Sequence, residues 1–221
     1  MIFLFSSSCF GIQVEWLFKK VYYDKIIAID ASGSSKQYIN GSYKLTQPEY
    51  AIYPWDKKYD WCSNCGKDYD EHPWISFSLN SKKIKLRGYF VRSGCCYANS
   101  CCCEDYGYCV KCCMYSWSLQ ISNDNKTWKE IHRVEKDSEM RRCHEKTYKF
   151  DNEYESKYVR LIQNEPCPGN PPCLAINKFD LLGEVISEGF SDNDEFVSFH
   201  DDDDDVSIIG HISKNGNVRI G

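Results

Sequence analysis

Two cysteine pairs in this chain are spaced to hold one metal ion. Cys62-Ser-Asn-Cys65 and Cys109-Val-Lys-Cys112 are both CxxC motifs. Two intervening residues let both thiolates reach a tetrahedral zinc at about 2.3 Å each. The second pair lies in "SGCCYANSCCCEDYGYCVKCC", residues 93–113, which carries eight of the fourteen cysteines. Cys62, Cys65, Cys109 and Cys112 are therefore the candidate zinc ligands. Cys95, Cys96, Cys101, Cys102, Cys103, Cys113, Cys143 and His144 are spare donors. Calcium is not expected. Disulfides are the rival reading, and an oxidising compartment would favour them. Cys167 and Cys173 bracket a proline-rich hairpin and could pair there. A CxxC redox enzyme is disfavoured, because that chemistry wants the motif at a helix N-terminus and neither pair precedes a helical pattern. The chain has no GxSxG, P-loop or HExxH motif, and its five histidines are scattered. A non-enzyme is expected.

These cysteines need a scaffold, and the surrounding pattern is β. "WISFSL" places Ile75, Phe77 and Leu79 on one face and serines on the other. "KIKLRGYFVRS" repeats that alternation, with Gly88 marking a bulge or a close approach. "SWSLQIS" puts Trp117, Leu119 and Ile121 inward, and "NDNK" follows as a turn. "TWKEIHRV", "KTYKF", "KYVRLIQ" and "KFDLLG" complete the series. Short strands joined by polar turns predict an all-β sandwich or barrel. Residues 14–24 read equally as a helix or a first strand.

Charge divides the chain unevenly. Residues 186–221 carry nine acids and two bases, including the run Asp201–Asp205, whereas the rest is close to neutral. A solvated acidic tail is the reading for that run. No basic patch of the nucleic-acid kind is present, so nucleic acid is not an expected partner. No segment approaches the ~20 apolar residues of a membrane span. Met1–Phe5 is apolar but short and lacks a basic start, so a cytoplasmic protein is expected, with an extracellular one as the alternative if those residues are a truncated signal. The sequons Asn40-Gly41-Ser42 and Asn125-Lys126-Thr127 matter only in a secreted chain.

The order of the pieces resembles the discoidin domain, the type found at the C-terminal ends of coagulation factors five and eight. Trp74, Gly88, Trp117, Ser122, Asn123, Asp124, Trp128, Tyr158, Arg160, Leu174, Ile176, Phe179 and Gly183 stand where that family's motifs would place them. "SNDNKTW" is the strongest single match. The resemblance covers about residues 26–185. It implies a jelly-roll sandwich of about eight strands, of the galactose-binding-like class. The division would be an N-terminal extension (1–25), the sandwich (26–185) with a cysteine-rich insertion at 93–115, and the tail (186–221).

In that family, ligands bind loops at one end of the sandwich. The resemblance thus implies a binding module for a glycan, a phospholipid headgroup or a protein. The candidate contacts are Tyr53, Trp55, Asp56, Lys57, Tyr59 and Trp61 in the first loop. Tyr97, Tyr106 and Tyr108 follow in the insertion, then Asn164 and Asn170 in the last loop. Trp74, Trp117 and Trp128 are read as core, and Arg92 and Arg160 as packing stems rather than anion ligands. The alternatives are an intracellular zinc-stabilised interaction scaffold and, more weakly, a hydrolase or thiol oxidoreductase. The cysteine insertion and the absence of a cysteine after Cys173 depart from the family pattern.

Overall fold

The computed structural model describes residues 16–80, 82–96 and 113–186, and the backbone of three strands in the tail. Tyr97, Tyr106, Tyr108, Cys109, Cys112 and the Asp201–Asp205 run lie outside the described residues.

Two sheets face each other. The five-stranded sheet runs β1 (Ala28–Ala31), β5 (Trp74–Ser78), β10 (Tyr158–Glu165), β7 (Ser116–Ser122) and β8 (Lys129–Val134). The four-stranded sheet runs β4 (Trp61–Cys62), β11 (Ala175–Ile186), β6 (Lys83–Ser93) and β9 (Glu145–Ser156). A separate hairpin joins β2 (Lys36–Ile39) to β3 (Ser42–Leu45). All pairings within the two sheets are antiparallel. The strand pattern predicts a sandwich or barrel, and the structure is the sandwich, of the jelly-roll kind that the resemblance implies.

The alternation that predicts the strands is the alternation that builds the core. Ile75, Phe77, Leu119, Val159 and Leu161 point inward from one sheet, and Ile84, Leu86, Val91, Ile176, Phe179 and Leu181 from the other; all are buried. Phe77 and Phe179 stack across the gap at 4.9 Å, within 7° of parallel. Burial stabilises each such side chain by about 1.5–3 kcal/mol. Trp117 is fully buried, and its Nε1 donates to the Tyr89 hydroxyl at 3.0 Å. That hydroxyl also hydrogen-bonds with His132 Nδ1 at 3.0 Å. Burial lowers the His132 pKa, opposed by Glu130. Gly88 sits at a register shift between β6 and β9, where a Cβ would lie 2.2 Å from the Tyr148 carbonyl oxygen. The close approach read from the sequence is real.

Residues 16–24 also contribute to the core. Helix α1 (Leu17–Val21) buries Leu17, Phe18 and Val21, with Phe18 5.0 Å from Phe77. The Asp180 carboxylate accepts from Phe18 N at 2.7 Å and Lys19 N at 3.2 Å, satisfying the helix's first free amides. Part of the segment set apart as an extension therefore packs as an edge of the sandwich. Arg160 stacks 4.0 Å over the Trp128 ring and bonds Gln120. Arg92 is on the surface, between Glu145 and Asp56, rather than between the sheets.

In the tail, strands β12 (Glu195–Phe199), β13 (Ile208–Ile212) and β14 (Val218–Ile220) form a small antiparallel sheet within a separate compact unit, Ser187–Gly221.

Candidate functional site

Sheet topology gathers four connections at one end of the sandwich. They are residues 32–73 before β5, 94–115 between β6 and β7, 135–144 between β8 and β9, and 166–174 between β10 and β11. The opposite end carries the short turns 79–82 and 123–128. Loops held by a rigid scaffold are where binding chemistry concentrates.

Cysteines staple this end. Cys96 bonds Cys143, joining the insertion to the 135–144 loop, with Cα atoms 4.5 Å apart. Cys113 bonds Cys167, joining the other end of the insertion to the 166–174 loop, with Cα atoms 6.1 Å apart. Both spans suit a disulfide. Cys62, Cys65 and Cys95 are disulfide-bonded as well. The zinc assignment is therefore corrected at Cys62 and Cys65: a sulfur in a disulfide is no thiolate and cannot ligate zinc. Among the described residues, no three His, Cys, Asp or Glu side chains gather to hold a metal ion. Cys173 does not pair with Cys167. It is buried and donates weakly to the Ser63 carbonyl, and burial pushes its pKa up to about 12.

Beneath the loops lies a buried carboxylate. Asp60 Oδ2 accepts from Gln37 Nε2 and from Cys95 N, each at 2.9 Å, and Oδ1 accepts from Asn177 Nδ2 at 2.9 Å. One side chain thus ties the β2–β3 hairpin, the insertion and β11 together. Gly94 makes room for it, since a Cβ there would lie 2.8 Å from Asp60 Oδ2. Burial raises the Asp60 pKa against these hydrogen bonds. Lys57 is buried beside it and donates Nζ to the Asn177 carbonyl; burial lowers its pKa to about 8, opposed by Asp60.

The loops enclose a cleft of about 910 Å³. One wall is Gly66, Lys67, Asp68 and Tyr69, and another is Ser138 and Arg141. Cys113, Tyr115 and the segment from Cys167 to Pro172 complete it. Tyr69 is 63% exposed, a ring free to face a ligand. The stiff segment is "CPGNPP", where Asn170 N donates to the Cys167 carbonyl at 2.9 Å. Clefts of this size, with aromatic faces and a few polar groups, are the usual form of a small-molecule site.

Of the described residues expected to bind, only Asn170 lines the cleft. Trp61 is fully buried, with Nε1 donating to Ser34 Oγ at 3.0 Å, and Lys57 is buried; neither can meet a ligand. Asp56 pairs with Arg92 at 3.3 Å, and Asn164 Nδ2 donates to Ser118 Oγ at 2.6 Å. Tyr53, Trp55 and Tyr59 form an aromatic cluster with Tyr22 and Tyr50, in which Tyr53 stacks on Trp55 at 4.5 Å. None of these rings lines the cleft. The sequence reading missed Lys67, Asp68, Tyr69, Tyr115, Ser138 and Arg141. The 135–144 loop carries little turn chemistry to flag it; only "RRCH" beside a cysteine gave a signal.

No family model matches this chain, and no curated protein is detectably similar in sequence. Solved structures are similar in fold. A CBM32 from Clostridium perfringens, in complex with GalNAc-β-1,3-galactose, superposes with a TM-score of 0.52 at 14% identity. The match covers 76% of this chain and 99% of that one. A second Clostridium perfringens structure, holding two CBM32 domains and an M60 catalytic domain, gives 0.50 at 12% identity, over 71% of this chain and 14% of that one. The chain has the discoidin or galactose-binding-like fold.

Proposed function

We propose that this domain is a non-catalytic carbohydrate-binding module whose ligand enters the cleft at the stapled end. The observation that carries this reading is the cleft itself, formed by Lys67–Tyr69, Tyr115, Arg141 and Asn170 on the loop-bearing end. A fold neighbour captured with a disaccharide supports it. Tyr69 and Tyr115 offer flat apolar faces to a sugar ring, and Asp68, Ser138 and Asn170 offer partners for hydroxyl groups. The zinc-clipped scaffold loses its ground with Cys62 and Cys65 in disulfides. The cross-links also favour an oxidising compartment, outside the cell or in the secretory pathway, over the cytoplasm.

Glycan-array and calorimetric titration test the reading. Binding to a sugar should fall at least about tenfold in Tyr69→Ala with Asn170→Ala, at unchanged melting temperature. A folded protein that binds no glycan, or that binds lipid vesicles instead, would overturn it.

A further inference from the structure

The cleft's charges point to a narrower class of sugar. Three arginines elsewhere on the surface are each held by two carboxylates. Arg87 lies between Glu153 and Glu184, Arg92 between Glu145 and Asp56, and Arg133 between Glu130 and Glu135. Arg160 is engaged by Gln120 and the Trp128 ring. Arg141, in the cleft wall, has no carboxylate partner among the described residues, although Glu139 is two residues away. Glu139 and Asp137 turn to Lys146 instead, at 3.4 and 2.6 Å.

Arg141 is nevertheless held in place. Its backbone forms a β-bridge with Cys113, itself bonded to Cys167. Its N–H donates to the Glu139 carbonyl at 2.7 Å, and its Nε donates to the Ser138 carbonyl at 2.6 Å. That last bond consumes the Nε–H, and neither terminal nitrogen has a partner among the described residues. A guanidinium in that state presents a planar pair of donors matched to a carboxylate. Lys67, also in the wall, has no ion-pair partner among the described residues. Among the described residues the cleft's acid is Asp68, so that lining carries two cations against one anion. Among the described residues Asp68 Oδ1 receives one long contact, from Asp70 N at 3.5 Å, and can still accept from a sugar hydroxyl.

We infer that the cleft selects an anionic glycan, with Arg141 receiving the acidic group and Lys67 supporting it. The inference rests on the carbohydrate-binding reading above. A carboxylate matches the planar fork best, and a sulfate ester shares its charge. The test is titration of the whole protein against matched sets: sialylated, uronate-containing and sulfated oligosaccharides, each with its neutral counterpart, and the carboxylated ones also as carboxamides. The expected result is affinity for at least one carboxylated member roughly tenfold above its amide. That preference should shrink between 50 and 300 mM salt. Arg141→Gln should erase it, Arg141→Lys should keep part of it, and Arg142→Gln, outside the cleft lining, should leave it intact. Sulfated members binding in place of carboxylated ones would reassign the acidic group.

Neutral sugars bound as tightly as acidic ones, or a preference that survives Arg141→Gln, would overturn the inference and leave the carbohydrate reading standing. Binding to no sugar at all, by protein with an unchanged melting temperature, would overturn both.

Discussion

At the scale of single residues, burial decides roles that residue type leaves open. "YPWDKKYDW" reads as one exposed loop of rings and charges, yet Trp61 and Lys57 are inside while Trp55 is 44% exposed. Nothing in the local pattern separates them. What does is the two-residue strand β4, which pairs Trp61 with Ile176 and turns the indole under the sheet. Asp180 shows the same dependence on distant partners. Its pKa is raised to about 6, because burial outweighs the amides of Phe18, Leu181 and Lys19. The folded protein therefore binds this proton more tightly than the unfolded chain, whose ordinary value is 3.8. Stability from this group is fully present below about pH 4 and is lost as pH rises through 6. Asp180→Asn should remove that loss. Urea unfolding at pH 4 and pH 7 should show the difference between variant and wild type moving in the variant's favour by about 2–3 kcal/mol. A difference independent of pH would mean that Asp180 does not titrate in this window.

At the scale of elements, the strands were legible and the staples were not. "WISFSL", "SWSLQIS" and "KYVRLIQ" became β5, β7 and β10 because a period of two with one buried face is a local signal. Disulfide partners 47 and 54 residues apart are not a local signal, and spacing alone favoured zinc at the CxxC pairs. The fourth wall of the cleft, residues 135–144, was missed for a related reason: it becomes a wall only when Cys143 and Arg141 meet the insertion. The Cys113–Cys167 bond should matter twice. Replacing both cysteines by serine should cost up to about 4 kcal/mol through restored chain entropy, measured as a shift in denaturant midpoint. It should also weaken ligand binding at least about tenfold, since Arg141 and Asn170 lose their common anchor. The far-UV circular dichroism should stay that of a β-sandwich. Full binding without this bond would show that the loops hold their geometry by packing alone.

At the scale of the whole molecule, residues 1–186 form one compact unit and 187–221 another. Among the described residues, the sandwich core draws on α1, β1 and β4 to β11. A chain ending at Ile186 should therefore melt within a few degrees of the full protein and bind the same ligand. A large fall in melting temperature would show that the tail supports the sandwich. In the tail, the short apolar stretches "VSIIGHI" and "NVRIG" read as strands from the sequence, and they hold β13 and β14.

The two described staples overlap along the chain: one encloses residues 97–142 and the other 114–166. Any single backbone cut from 97 to 166 falls inside at least one of them. A protease that nicks the chain once in that stretch therefore leaves two fragments still covalently joined. In a compartment rich in proteases, such damage need not release the recognition end from its scaffold.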